Sequence, residues 1–155
     1  MKILIELTYY RPHTSGLTIY AERLAVALTQ QGHQVTVLTS QYDKKLTKDE
    51  WLQGVHVIRV PVLWHISKGV IMPTLGSVAT KLVKENDVVH LHLPQIDAAG
   101  IALRGKLFKK PTVITYHCDL RMPWGMLSWL ANQGVNIMNN SAALFADCIV
   151  TYTED

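Results

Sequence analysis

Polar side chains gather at three points of the sequence, each next to a short apolar run. The stretches 9–16, 92–95 and 117–124 hold them, and they include His13, His92 and His117. Imidazole rings donate and accept hydrogen bonds and can carry a proton near neutral pH. If the apolar runs are parallel strands, their carboxyl ends meet at one edge of a sheet, where ligands bind in such folds. We therefore predict one crevice, lined by Tyr9, Arg11, His13, His92, His117, Asp119 and Arg121.

The first of these stretches, Thr8 to Gly16, leads directly into a helical pattern. The first amides of a helix have no intrahelical partner and the helix dipole is positive there, so this end suits an anion such as a diphosphate. Gly16 would let a phosphate approach the backbone closely, because glycine has no side chain. A second interpretation stays open, in which Ser15 and Gly16 only cap the helix and close a tight turn.

Other ligand sites fit these residues less well. A nicotinamide dinucleotide site would need G-x-G-x-x-G in the first turn and an acidic residue at the end of the second strand, where Thr39 and Ser40 stand. A P-loop is excluded, since no G-x-x-x-x-G-K-[ST] segment occurs. His90 and His92 lie on one face of a strand, as two metal ligands would, but no third ligand follows at a spacing typical of metal sites. We expect no metal, with His90 packed in the sheet and His92 pointing towards its edge.

His117 follows a buried run and precedes Cys118. Adjacent residues at a strand end point in opposite directions, so the two make a poor nucleophile–base pair. Two interpretations of His117 stay open. It is either a polar group at a reacting centre or a core histidine whose hydrogen bonds are satisfied.

The elements that would position these residues alternate between short apolar runs and helical patterns. Such alternation is typical of βαβ units and a parallel sheet. The predicted strands are 3–7, 35–38, 55–60, 87–92, 112–116 and 147–151, and the predicted helices are 17–28, 73–83, 96–107 and 127–145. The polar stretch 41–53 is predicted to be a loop or a weak helix. The predicted fold class is α/β, with a doubly wound, Rossmann-like parallel sheet in one domain, residues 1–155.

Composition narrows the class of protein. The 155 residues are 48% hydrophobic and 17% charged, which suits a mostly buried sheet. The net charge of +3 is mild and no basic stripe is interleaved with aromatics, so we expect no nucleic-acid partner. Two cysteines make no disulfide framework, and no signal segment or membrane-length run is visible, which favours a cytoplasmic location. The chain ends directly after its last predicted strand, so we expect it to be part of something longer.

Five segments of the chain carry a known pattern in the same order. The segment Tyr10-Arg11-Pro12-His13-Thr14-Ser15-Gly16-Leu17 precedes a helix and the strand segment 31–39. Asp87 to His92 is similar to D-V-V-H-x-H, residues 112–119 to T-V-x-T-x-H-x-D, and residues 146–150 to A-D-x-V-I. Together, over essentially the whole chain, they resemble the N-terminal domain of GT-B glycosyltransferases of the retaining family 4.

The resemblance implies roles for the site residues. Gly16 stands where the family's backbone touches the β-phosphate of the donor, and His117 stands at the histidine that contacts the transferred sugar. The family's second glycine is Leu17 here, so phosphate contact would use the Gly16 and Leu17 amides. The acceptor-binding candidates are Tyr9, Arg11, His13, His92, Asp119 and Arg121.

The activity implied by the resemblance is transfer of a hexose from a nucleotide-diphosphate sugar to a sugar or lipid-linked acceptor, with retention of configuration. The chain would be the acceptor-side half of a two-domain enzyme and inactive alone, because the donor-binding half lies outside it. No cofactor or metal is expected. A nucleotide-sugar epimerase of the same fold and a non-catalytic binding module stay as alternatives.

One cluster of basic residues could contact an anionic membrane surface. Arg104, Lys106, Lys109 and Lys110 stand together at the end of a predicted helix, and tryptophans occur in 124–129. Such a cluster attracts an anionic membrane face, so we expect peripheral membrane contact as one alternative. The other is a solvated helix end whose cations complement the helix dipole.

Overall fold

The computed structural model describes residues 1–66, 69–117 and 126–151, with only the backbone described for 66, 126–132 and 135. Nine strands and four helices lie in these ranges. The strands are β1 Lys2–Glu6, β2 Gln34–Gln41, β3 Asp49–Leu52, β4 Val55–Pro61, β5 Trp64–Ile66, β6 Gly69–Ile71, β7 Val88–Leu93, β8 Thr112–Tyr116 and β9 Cys148–Thr151. The helices are α1 Gly16–Gln30, α2 Leu75–Glu85, α3 Ala98–Leu107 and α4 Met126–Phe145.

Seven strands form one sheet in the order β3-β4-β2-β1-β7-β8-β9. All neighbours pair in parallel except β3, which pairs antiparallel with β4 at the edge. Without β3, the order is that of a doubly wound Rossmann sheet, with the chain reversing its direction of winding between β1 and β7. The predicted fold class is confirmed. The reversal places the ends of β1 and β7 side by side at the edge where such sheets bind ligands.

The central strand β1 is buried on both faces, which explains its continuous apolar run. Leu4 belongs to a core with α2, α3 and α4, whereas Ile3 and Ile5 belong to a second core with α1. Successive side chains of a strand point to opposite faces, so a strand covered on both sides must be apolar at every position. Among the four buried residues of β1, Glu6 is the polar exception and is only 1% exposed, whereas Lys2 at the other end of the strand is exposed.

Helix α1 has defined signals at both ends. Ser15 is the N-cap, and its side chain accepts from the amide of Thr18 while the Thr18 hydroxyl accepts from the amide of Ser15. At the other end Gly32 has a φ of +85°, and the amides of Gly32 and His33 return to carbonyls of the last turn. Glycine takes this left-handed conformation without strain, which is why it commonly follows the last turn of a helix. The two caps define where α1 begins and ends, and its first residue is Gly16, the candidate anion-binding position.

The structure confirms a loop over 42–48, corrects the rest of the prediction for 41–53, and adds a hairpin that the sequence pattern did not suggest. Gln41 ends β2, and β3 follows as an edge strand that is neither loop nor helix. Gln53 and Gly54, both at positive φ, form a two-residue turn that pairs Leu52 with Val55. Positive φ at both central residues is the mark of a type I′ hairpin, and an exposed edge strand tolerates polar side chains. The short antiparallel pair β5–β6 is the second addition.

Among the described helices, none combines the length and apolar character needed to span a bilayer.

Candidate functional site

The N-terminus of α1 opens at the ligand-binding edge of the sheet. The amide of Thr18 is occupied by the Ser15 side chain, as the capping interpretation predicted. Gly16 and Leu17 precede it in the first turn, where amides have no intrahelical acceptor. A Cβ placed on Gly16 would meet no heavy atom within 4 Å, so the space beside this backbone is open. The cap therefore leaves room for an anion at the positive end of the helix dipole.

Three histidines stack in a row across β7 and β8. His90 and His92 share one face of β7, and their ring centroids lie 4.6 Å apart. The ring of His117, directly after β8, lies 5.2 Å from that of His92. Nδ1 of His92 and Nε2 of His117 are 2.9 Å apart, and Nε2 of His90 is 2.7 Å from the Thr115 hydroxyl. Alternation along the strands aligns these side chains, because residues two apart point to the same face.

Burial keeps this row uncharged. Loss of solvent, with smaller contributions from the neighbouring imidazoles, lowers the pKa of His92 to about 2. Burial and the nearby His117 lower the pKa of His90 to about 4. Burial also lowers the pKa of His117. A charged imidazole would lose its hydration here without gaining an opposite charge, so all three rings are neutral at pH 7.

His92 differs from its prediction. It lies inside β7 and is only 1% exposed, so it does not point openly towards the edge of the sheet. The sheet continues one residue further than predicted, to Leu93, and α1 covers this face. What His92 does contact is the ring of His117, which is half-buried at the edge.

Tyr20 joins the histidine row to the N-terminus of α1. Its ring centroid lies 5.2 Å from that of His117 and 5.9 Å from that of His92. Gly16 and Tyr20 are four residues apart and therefore lie on one face of the helix, about 6 Å apart along its axis. Two site candidates from distant parts of the sequence, Gly16 and His117, thus lie within about two helical turns of each other. Tyr20 was not predicted to be a site residue; its spacing of four from Gly16 was the available signal.

Tyr9 and His13 come together in the loop between β1 and α1. Their rings stack with centroids 4.8 Å apart, and Tyr42, which follows β2, contacts both edge-on at 5.6 and 5.7 Å. All three side chains are partly exposed. Aromatic faces of this kind offer apolar contact beside polar groups, which suits a sugar ring or another amphipathic ligand. Tyr42 was not predicted, because no pattern around it distinguishes it from a loop residue.

The side chain of Arg11 pairs with α1 and does not extend from the loop between β1 and α1 towards a ligand. Its Nε donates to Oε2 of Glu22 on α1 over 2.7 Å, so its charge is already paired. A second arginine, Arg59 on β4, is 2% exposed and donates to the Arg11 carbonyl over 2.7 Å. Arg59 also donates to the carbonyl of Thr47 and pairs with Glu50. Both arginines therefore fix the path of the loop between β1 and α1.

A buried carboxyl lies at the reversal of the sheet, on the face opposite to the histidine row. Gln95 donates to Glu6 from the loop after β7, and Asp97 lies close by at the start of α3. Burial, with a smaller contribution from the charge of Asp97, raises the pKa of Glu6 to about 8. Glu6 is therefore mostly protonated at pH 7. The available sequence signal was an acidic residue directly after the apolar run 3–5.

Two predicted acceptor residues, Asp119 and Arg121, lie outside the described residues. Of the others, His92 and His117 form one group and Tyr9 and His13 another, while Arg11 pairs with α1. Over the described ranges, no three His, Cys, Asp or Glu side chains are grouped so as to hold a metal ion. The geometry thus brings an open helix N-terminus, a neutral imidazole row and an aromatic cluster together at the carboxyl ends of the strands.

Residues 14–155 match the model of Glycosyltransferase Family 4. The chain belongs to glycosyltransferase family 4. Among curated protein sequences, none matches this family 4 chain.

Solved structures of GT-B glycosyltransferases share the fold of this family 4 domain. Sucrose-phosphate synthase from Thermosynechococcus elongatus superposes with a TM-score of 0.62 at 17% identity, over 96% of this chain and 41% of that one. MurG from Acinetobacter baumannii gives 0.56 at 16% identity, over 97% and 40%. Trehalose-6-phosphate synthase from E. coli, solved with UDP-2-fluoro glucose, gives 0.52 at 11% identity, over 99% and 40%. The family 4 domain thus spans about two fifths of these proteins, and identities this low show the fold alone.

The buried carboxyl generates a prediction about stability. The unfolded chain releases the Glu6 proton near pH 4.5, whereas the folded domain holds it to about pH 8. The free energy of unfolding should therefore fall as the pH rises through this window. Glutamine has the same shape as glutamate but does not ionise. Above pH 8, Glu6→Gln should therefore have a free energy of unfolding that is larger than that of the parent by a few kcal/mol. Below pH 4.5 the two proteins should hardly differ.

Denaturant unfolding at a series of pH values measures this difference. Glu85→Gln, an exposed position at the end of α2, is the matched control and should not alter the slope. Every other titratable group is common to the parent and the Glu6 variant, so the difference between the two curves isolates Glu6. Parallel curves for Glu6→Gln and the parent would contradict the buried, protonated state.

Proposed function

We propose that this chain is the N-terminal, acceptor-side domain of a retaining glycosyltransferase. The whole enzyme transfers a hexose from a nucleotide-diphosphate sugar to a sugar or lipid-linked acceptor. The domain is residues 1–155, and the donor's base and ribose are bound by a second domain outside it. Since that domain is required, the isolated chain is inactive, and the enzyme works in the cytoplasm.

The observation that carries the proposal is the proximity of the α1 N-terminus to His117. Tyr20 contacts the His117 ring, and Gly16 lies one helical turn before Tyr20 on the same face. A diphosphate at the Gly16 and Leu17 amides would therefore place the attached sugar within reach of His117. Membership of family 4 supports the same assignment of roles.

In this scheme the bond between the sugar's anomeric carbon and the diphosphate oxygen breaks, and the acceptor oxygen bonds to that carbon on the same face. The acceptor's proton passes to the departing diphosphate. Negative charge grows on the diphosphate as it leaves, and the α1 N-terminus stabilises that charge with amides that are already oriented. No carboxylate nucleophile from this domain enters the scheme, and neither does a metal ion or a cofactor.

The acceptor is proposed to bind along the loop between β1 and α1. Tyr9 and His13, with Tyr42 against both, supply the aromatic contact, and the buried Arg59 holds the loop that carries them. Arg11 contributes through its pairing with Glu22, which ties the loop to α1. His92, Asp119 and Arg121 complete the proposed set, with His92 acting through its contact with His117.

The sharpest test of the proposed function is His117→Ala in the full-length enzyme. Loss of one oriented contact in the transition state typically costs about 2.7–4 kcal/mol, so kcat should fall roughly a hundred- to a thousand-fold while KM changes little. Steady-state kinetics with a labelled sugar nucleotide give both constants. A melting curve shows whether the variant is folded.

The matched control is His33→Ala. His33 directly precedes β2, at the amino ends of the parallel strands and away from the proposed site, so this variant should keep both kcat and KM. If His117→Ala melts normally and turns over within about threefold of the parent, a change below 1 kcal/mol, His117 is not in the site. If activity instead follows the folded fraction, His117 is a core residue only.

A second test concerns the phosphate position. Gly16→Ala adds a methyl group into space that is empty in the protein, so the free energy of unfolding should change by less than about 0.5 kcal/mol. The same methyl group would obstruct a phosphate at the helix N-terminus, and the KM for the sugar nucleotide should rise roughly ten-fold. Gly134→Ala, whose added Cβ also meets open space, is the control. An unchanged KM for Gly16→Ala would exclude close phosphate contact there.

Peripheral membrane contact is proposed through the exposed cluster Lys106 and Lys109 with Lys110 beside them. Arg104 does not belong to it, since its guanidinium donates to Thr80 and Gly100. At about 1 kcal/mol per basic residue, attachment to anionic vesicles should be weak and lost at high salt. Sedimentation at low salt measures it, and replacing the three lysines with glutamine should abolish it. If the parent does not sediment with vesicles, the membrane proposal fails and a soluble acceptor is favoured.

A further inference from the structure

A groove lies at the amino ends of the parallel strands, away from the site described above. It has a volume of about 490 Å³ and lies between α2 and the two outermost strands, β3 and β4. Trp51 and His56 bound it on the side of the strands, and Lys81 and Glu85 in the last turns of α2 bound it on the other side. Ile58 on β4 lines it and is only half-buried, because α2 does not fully cover this part of the sheet.

The side of the groove formed by the strands is aromatic. Trp51 and His56 are directly opposite each other on β3 and β4, and their rings stack with centroids 4.8 Å apart and an interplanar angle of 13°. Nε2 of His56 lies 2.8 Å from Oδ1 of Asp49, which is on the same face of β3 as Trp51. Tryptophan is highly buried on average, yet Trp51 is 69% exposed. The stack therefore holds in place an aromatic ring that is open to solvent.

The charges around the groove cancel. Two lysines, Lys2 and Lys81, and two carboxylates, Asp49 and Glu85, line it. Helix α2 ends here, and the negative end of its dipole disfavours an anion such as a phosphate or a lipid headgroup. The two lysines oppose a cationic ligand in the same way. The groove therefore suits a ligand without net charge.

The polar groups on the α2 side can both donate and accept hydrogen bonds. The ammonium group of Lys81 only donates, and the carboxylate of Glu85 only accepts. Both side chains are exposed, and Nζ of Lys81 lies 4.0 Å from Oε1 of Glu85, so neither is held strongly by the other. A sugar ring has hydroxyl groups around its edge, which donate and accept, and C–H groups on its faces, which suit an aromatic ring. A neutral sugar matches both sides of the groove.

We propose that this groove is a second carbohydrate-binding site, which takes a neutral oligosaccharide with one sugar ring against Trp51. The chain belongs to a family that transfers glycosyl groups, so carbohydrate is a neutral ligand that it meets as substrate or product. The groove is separate from the proposed acceptor site, because β2 is eight residues long and its two ends are therefore about 25 Å apart. It holds a saccharide chain at the end of the sheet opposite to the reaction, which goes beyond the proposed function.

The test is an NMR titration of this chain, labelled with 15N, with the neutral saccharides maltohexaose, cellohexaose and dextran. The indole N–H signal of Trp51 is identified by its loss in Trp51→Leu. At least one of the three should shift this signal to saturation, with a Kd on the order of 1 mM. Backbone amides of both sides of the groove, 49–56 and 81–86, should shift with the same Kd.

Three results of the titration would overturn the proposal. One is an unshifted Trp51 indole signal with all three saccharides at roughly ten times the expected Kd. Another is a set of shifts confined to residues 9–16, because the saccharide would then bind only at the proposed acceptor site. The third is tighter binding of dextran sulfate than of dextran, because the groove would then be an anion site.

A matched pair of variants tests the role of Trp51. Trp51→Leu should weaken binding, measured from the amides of 81–86, by at least about ten-fold. Trp64→Leu is the control and should bind like the parent, since Trp64 on β5 is 65% exposed but does not line the groove. Melting curves show that each variant is folded. Glu85→Ala, on the α2 side, should also weaken binding, and it keeps the test decisive if Trp51→Leu does not fold. Equal affinity of the parent and the folded groove variants would refute the proposal.

Sedimentation of the parent chain tests whether the groove instead binds a second copy. An edge strand such as β3 can pair with another chain. If the chain is dimeric, the Trp51 signal changes on dilution and no saccharide shifts it, the groove is an interface between copies and the proposal fails.

Binding at the groove is measured without sugar transfer, so its outcome is independent of the proposed function. If oligosaccharide binds at Trp51 and the full-length enzyme transfers no sugar, the proposed function fails while the second site stands. If the enzyme is active but no saccharide binds at Trp51, the second site fails while the function stands.

Discussion

Packing of helices on both faces of the parallel sheet is the constraint on which this domain depends. It buries the ends of β1 and β7 so fully that titratable side chains there cannot keep their charge. Glu6 on one face is therefore protonated at neutral pH, and His90 and His92 on the other face are neutral. Each of these neutral groups makes a hydrogen bond with a specific neighbour, Glu6 with Gln95, His90 with Thr115 and His92 with His117, which orders this end of the sheet.

Charge at the site comes mainly from the backbone. The described arginines near the edge, Arg11 and Arg59, are engaged with Glu22, Glu50 and backbone carbonyls. What remains for an anion is the positive end of α1, whose open position at Gly16 was the feature that the sequence pattern indicated. A backbone site of this kind is oriented before the ligand arrives, which is the condition for stabilising charge that develops during a reaction.

Much of the fold could be predicted from the sequence because its signals are local. The β1 run, the cap of α1 at Ser15 and the left-handed Gly32 each depend on neighbours within a few residues. The β3 edge strand was missed because its polar side chains follow from exposure at the edge of the sheet, which a segment does not reveal by itself. Its turn, Gln53–Gly54, lacks the Asn-Gly or Asp-Gly pair that is typical of such hairpins, so the turn did not reveal the strand either.

For the site, the sequence by itself determined which residue types stand at strand ends and that a helix begins at Gly16. It also carried the family pattern, with His117 within it. Only the tertiary structure decided that His92 is buried and bonded to His117, that Tyr20 joins this pair to α1, and that Glu6 is enclosed with Gln95. These contacts join residues up to 89 positions apart in the chain. Their pKa values and hydrogen-bond directions depend on desolvation by elements packed against them, and desolvation exists only once the sheet and its helices are assembled.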